Sequence, residues 1–163
     1  MIEKPAFPLS RTADTLVLRL KDDLHAALTA QARQNWRSID SEIVFGLQSW
    51  LAGPTRMLLR KRILSDHLGA ARTREALESV EHLDFCRAAG TIPLAIRLPE
   101  GMHERLAGLS AKLGLTENRL LLNALCWWVN ISRDLRCLLE QAEAPTPNPA
   151  GGRRGLPRTA AQD

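Results

Sequence analysis

At 163 residues, with 45% hydrophobic and 25% charged side chains, the chain is long enough for one compact unit or two small ones. No apolar run approaches the ~20 residues of a membrane span and the N-terminus lacks a signal-peptide layout, which argues against a membrane partner and for a cytoplasmic location. A net charge of +4 and a pI near 9.4 permit a nucleic-acid partner without requiring one.

Residues 1–13 contain Pro5 and Pro8 and read as a flexible arm, in which Lys4 and Arg11 either reach phosphate or have no role. A strict alternation follows, with Leu16, Leu18 and Leu20 on one side and Thr15, Val17 and Arg19 on the other. That period of two marks a strand with one buried face. The period then changes. Leu24, Leu28 and Ala32 recur every four residues, as on one face of a helix. Ser38 is a good N-cap for a second helix through Ile43, Leu47 and Leu51. Gly53 and Pro54 close this unit, which spans residues 14–53 and is too small to bury a core alone.

Residues 54–90 read as a helical connector. One helix is expected over 55–68 with Thr55 as its cap, and a second over 73–88 with Leu77, Val80 and Leu83 inward. Arg60, Lys61 and Arg62 form the densest basic run, either a solvated helix face or a phosphate contact.

A shift of 78 positions then brings the first pattern back over residues 91–130. Leu16, Leu18 and Leu20 fall on Leu94, Ile96 and Leu98, Arg19 on Arg97, His25 on His103, Ser38 on Thr116, and Trp50 on Trp128. Agreement in ungapped register over a whole strand–helix–helix pattern indicates an internal repeat. Residues 131–144 continue or restart a helix, and the Pro- and Gly-rich stretch 145–163 is expected to be a disordered tail, weakly basic through Arg153, Arg154 and Arg158.

Charge is spread unevenly. Residues 1–53 and 91–143 each hold six basic and six acidic side chains, so the excess lies in the connector and the tail. Any DNA-binding face must therefore come from where side chains point. The three cysteines, Cys86, Cys126 and Cys137, lack metal-type spacing and suit reduced, packed thiols. The four histidines are scattered, and no nucleophile–base spacing or Gly-rich phosphate loop occurs. No enzymatic activity, metal or cofactor is expected. Trp50, Trp127 and Trp128 suit core or interface anchors.

The runs LRLKDDLHAAL and, above all, RSIDSEI at the turn into the second helix resemble the ribbon-helix-helix DNA-binding proteins of the Arc/MetJ type. The resemblance covers residues 15–51 closely and 91–129 more loosely, and two such units in one chain are similar to the TraY-like accessory proteins of conjugative DNA transfer. It implies a mainly α fold with a two-stranded antiparallel β-ribbon, in which two units share four interlocked helices. The expectation is a tandem, pseudo-dimeric ribbon-helix-helix protein with additional connector helices. Strand exchange between chains, and so self-association, is the alternative assembly.

In such a fold the ribbon enters the DNA major groove, one of the few places where base edges carry a distinguishable pattern. The outward strand residues would then read bases. These are Thr15, Val17 and Arg19 in the first repeat, and Ala95 and Arg97, beside Pro93, in the second. Backbone amides at the start of each second helix would clamp phosphate, at Ser38 and Ile39 and at Thr116. Glu117 departs from that pattern, because a carboxylate there repels phosphate.

Arc-like proteins also bury an Arg–Glu–Arg cluster. Arg37 and Glu42 match two of its members, but the third place is Gly46, and the second repeat has Leu115, Leu120 and Ala124 instead. That inequality suits two halves that pair with each other. Trp36 stands where the family has glycine, so Asn35 is expected to take the left-handed conformation at the turn. The function expected is sequence-specific binding of double-stranded DNA, as a transcriptional repressor or regulator. A relaxosome accessory role, and an antitoxin-type module that binds a protein through the connector or C-terminal region, are the alternatives.

Overall fold

The computed structural model describes residues 14–84 and 90–145. Leucine alternation makes β1 (Asp14–Leu20) and β2 (Ile92–Leu98), which pair antiparallel in a two-stranded sheet. Among the described residues, six helices run between and after them: α1 (Asp22–Gln34), α2 (Ile39–Leu51), α3 (Thr55–Leu68), α4 (Ala70–Glu78), α5 (Met102–Leu113) and α6 (Glu117–Glu143). The order β1-α1-α2 and β2-α5-α6 follows the internal repeat.

The register carries the same relation. Val17 pairs with Ala95, the residue 78 positions further on, so the strands cross at equivalent points of the two repeats. Arg19 therefore lies opposite Pro93, and Arg97 opposite Thr15. The inward residues Leu18, Leu20, Ile96 and Leu98 are wholly buried, in one core with Leu24, Leu28, Ile43, Leu47, Leu106 and Leu125. At roughly 1.5–3 kcal/mol per buried aliphatic side chain, these contacts are the main favourable contribution to folding.

The helix ends follow local chemistry. Ser38 caps α2 by accepting from the Ser41 amide at 3.2 Å, and Thr116 caps α6 by accepting from Arg119 at 3.3 Å. Pro54, not Thr55, is the N-cap of α3; Thr55 is its first helical residue. The turn between α1 and α2 differs from expectation. Asn35 keeps φ −90°, and Trp36 takes the left-handed conformation at φ 55°. Its repeat counterpart Gly114 does the same at φ 64°, so the backbone of the two turns is alike although the side chains are not.

The connector also departs from the expected helix over 73–88, since α4 starts at Ala70 and stops at Glu78. The physical reason lies across the chain. Asn130 on α6 donates to the Leu83 carbonyl and accepts from the Leu83 amide, both at 2.8 Å. Arg133 donates to the Glu81 carbonyl at 2.6 Å and His82 meets Asp134 at 2.7 Å. These bonds hold residues 81–83 against α6 outside any helix. The residues after α6's first turns do not restart a helix; one 27-residue helix, about 40 Å long, runs through 131–143. Its C-terminal half packs α3 and α4 through a second small cluster of Leu68, Ala76 and Leu138. No helix among the described residues is long and apolar enough to cross a membrane.

Candidate nucleic-acid interface

The outer face of the ribbon is a small grid. Thr15 and Arg97 form one row, Val17 and Ala95 the next, Arg19 and Pro93 the third, and all six are exposed. Sequence alternation thus places every expected base-reading residue on one surface. Two apolar side chains sit at its centre, and the two arginines lie diagonally at its ends. With about 3.3 Å per residue, those arginines stand ~13 Å apart along the ribbon. Val17 is 57% exposed, unusual for a β-branched residue with a buried strand face behind it.

Two helices lie against the ribbon. α2 contacts β2, and α6 contacts β1. On the β1 side the Arg19 amide donates to Asn118 Oδ1 at 3.0 Å, so the first turn of α6 is joined to the outer edge of the ribbon. A strand edge otherwise leaves such N–H groups open. Asn118 was not legible as a site residue, because nothing in its local spacing marks a contact 99 positions away.

Ser38 and Thr116 are exposed and their hydroxyls serve as caps, while Ile39 is half-buried against the core. Free backbone amides of these first turns can meet an anion. Glu117 Oε2 lies 3.2 Å from His103 Nε2, so its carboxylate has a partner on α5. Arg11 and Lys4 lie outside the described residues. The basic run of α3 divides: Lys61 reaches the buried Asp134 at 2.6 Å, Arg62 lies 3.8 Å from the exposed Asp66, and Arg60 faces a groove.

Beneath α2 lies a buried polar cluster around Glu42. Glu42 is wholly buried. Its Oε1 accepts from Gln31 Nε2 and from Trp128 Nε1, each at 2.9 Å. Its Oε2 accepts from Asn35 Nδ2 at 3.1 Å and from Arg37 Nη1 at 3.3 Å. The Arg37 guanidinium also lies 4.1 Å from the Phe45 ring centre. This cluster fixes the turn that leads into Ser38.

Trp36, 96% exposed, stands two residues before that cap. Its strained backbone was signalled by its alignment with Gly114, but its exposure was not. No family model, curated protein or solved structure matches this chain.

Proposed function

We propose that this chain is a sequence-specific duplex DNA-binding protein, a tandem ribbon-helix-helix unit of the Arc/MetJ type whose β-ribbon enters the major groove. The observation that carries the reading is the exposed grid of Thr15, Val17, Arg19, Ala95 and Arg97 over an inward face whose Leu18, Leu20, Ile96 and Leu98 are wholly buried. Arginine suits two bonds to one guanine, threonine bonds either donor or acceptor edges, and Val17 suits a thymine methyl. Because Pro93 stands at the repeat position of Thr15, and neither it nor Ala95 can hydrogen-bond a base edge, the first strand carries most of the specificity. The helix starts at Ser38 and Thr116 supply phosphate contacts, the second weakened by Glu117.

Its use is the regulation of transcription, as a repressor. Selection of bound sites from random duplex DNA tests the binding. One short, poorly palindromic sequence supports it, since the two strands are unequal. Recovery of no preferred sequence would overturn it in favour of a protein-binding module. The genomic place of the selected site then separates the uses: a promoter supports regulation, and a transfer origin an accessory role in conjugation.

A further inference from the structure

A groove of about 560 Å³ runs between α2, α3 and the middle of α6. Its volume falls inside the roughly 300–1,000 Å³ of small-molecule sites. Phe45, Ile63 and Leu139 face it and remain 41%, 57% and 45% exposed, a large apolar allotment to leave wet at one place. Three arginines line it as well: Arg37, Arg60 and Arg136. No aspartate or glutamate does. Arg37 is joined to Glu42, whereas Arg60 and Arg136 have no ion pair or hydrogen bond among the described residues. Like charges gathered around an apolar surface repel one another, and an anion placed among them relieves that repulsion.

We infer that this groove is a binding site for a small amphiphilic carboxylate, its apolar body against Phe45, Ile63 and Leu139 and its head between Arg60 and Arg136. Charge selects this occupant. The chain's own C-terminal stretch, residues 144–163, carries three arginines against one aspartate and matches the rim in sign, so it is a poor filler. None of the outward ribbon residues lines this groove.

Isothermal titration of the full chain with dodecanoate, without DNA, tests the site. Dodecyltrimethylammonium supplies the same tail with the opposite head, and acetate the head without a tail. One dodecanoate per chain is expected, with neither control binding. Arg60→Ala with Arg136→Ala should weaken dodecanoate at least about tenfold, the loss of charge-assisted bonds. Ile63→Glu, at an exposed position, should weaken it similarly while its melting temperature stays near that of the parent. Failure of dodecanoate to bind, equal binding of the cationic analogue, or unchanged affinity in both variants overturns the site. Loss of DNA binding would leave this result untouched, so the two readings fail separately.

Discussion

Trp128 Nε1 donates a 2.9 Å hydrogen bond to Glu42 Oε1, so a neutral indole from the second repeat completes the buried polar cluster of the first. Gly46 makes room for it, since a Cβ there would stand 2.7 Å from Trp128 Cδ1. The asymmetry seen in sequence at Arg37, Glu42 and Gly46 is thus completed across the two halves. Trp128→Phe keeps most of the apolar volume but removes the donor. It should lower unfolding stability by about 1–3 kcal/mol in a urea titration. No change would show that the indole bond contributes nothing.

The second repeat holds Leu115 and Leu120 where the first has Arg37 and Glu42, which suggests a direct exchange. Buried ion clusters can often be replaced by apolar residues without loss. Here three neutral donors also aim at the carboxylate, and the buried Trp128 indole has no water to turn to. Arg37→Leu with Glu42→Leu should therefore destabilise by about 1–3 kcal/mol. Adding Trp128→Phe should recover much of that loss. Denaturant unfolding of the double and triple variants reads the difference, and a triple variant no better than the double would refute the orphaned-donor account.

Two glycines should respond with opposite signs. Gly90 donates to the Arg19 carbonyl at 3.2 Å, and a Cβ on it would lie 1.8 Å from the Leu20 carbonyl carbon. Backbone cannot yield as a flexible side chain does, so Gly90→Ala should cost at least about 3 kcal/mol, near the severe end for single substitutions. Gly108, inside α5, has open space around it. Gly108→Ala should add roughly 0.5–1 kcal/mol through helix propensity. Thermal melts of the pair measure both.

What could be read from the chain was what repeats locally. The alternation of Leu16, Leu18 and Leu20, the fourfold spacing of Leu24 and Leu28, and the caps Ser38 and Thr116 are local signals, and the repeat multiplied them. The two-stranded antiparallel pairing was implied by the family resemblance that those signals carry. The misread stretches depend on distant partners. Residues 79–84 had a helical pattern, but Asn130 takes the backbone bonds of Leu83 that a helix would use. The Trp128 bond to Glu42 spans 86 positions, and the Asn118 bond to Arg19 spans 99. At the turn, the propensity of asparagine for the left-handed region gave the wrong residue; the glycine at the equivalent position in the other repeat was the better guide.

On the DNA-binding reading the two ribbon arginines are unequal. Arg19 shares its strand with Thr15 and Val17, whereas Arg97 has Ala95 and Pro93. Arg19→Ala should cost about 1–3 kcal/mol in affinity for the selected site and relax preference at one base position. Arg97→Ala should lower affinity for all sequences more evenly. Binding measured on the selected site and on single-base variants separates these outcomes. An Arg19→Ala protein that discriminates as well as the parent would remove the ribbon as the reading element.

Trp36 offers the sharpest test of whether its turn serves function rather than stability. A tryptophan at φ 55° and 96% exposed contributes little packing, and its left-handed backbone costs about 1–2 kcal/mol relative to glycine. Gly114 occupies the equivalent turn without that strain. Trp36→Gly gives up part of the gain through the greater freedom of the unfolded chain, roughly 0.5–1 kcal/mol. The variant should still melt higher than the parent. On the DNA-binding reading, a side chain this exposed, two positions before the proposed phosphate contact at the start of α2, is expected to touch the DNA backbone. Trp36→Gly should therefore bind the selected duplex more weakly while discriminating among bases unchanged. A variant that is more stable and binds equally well would leave Trp36 with no part in DNA contact.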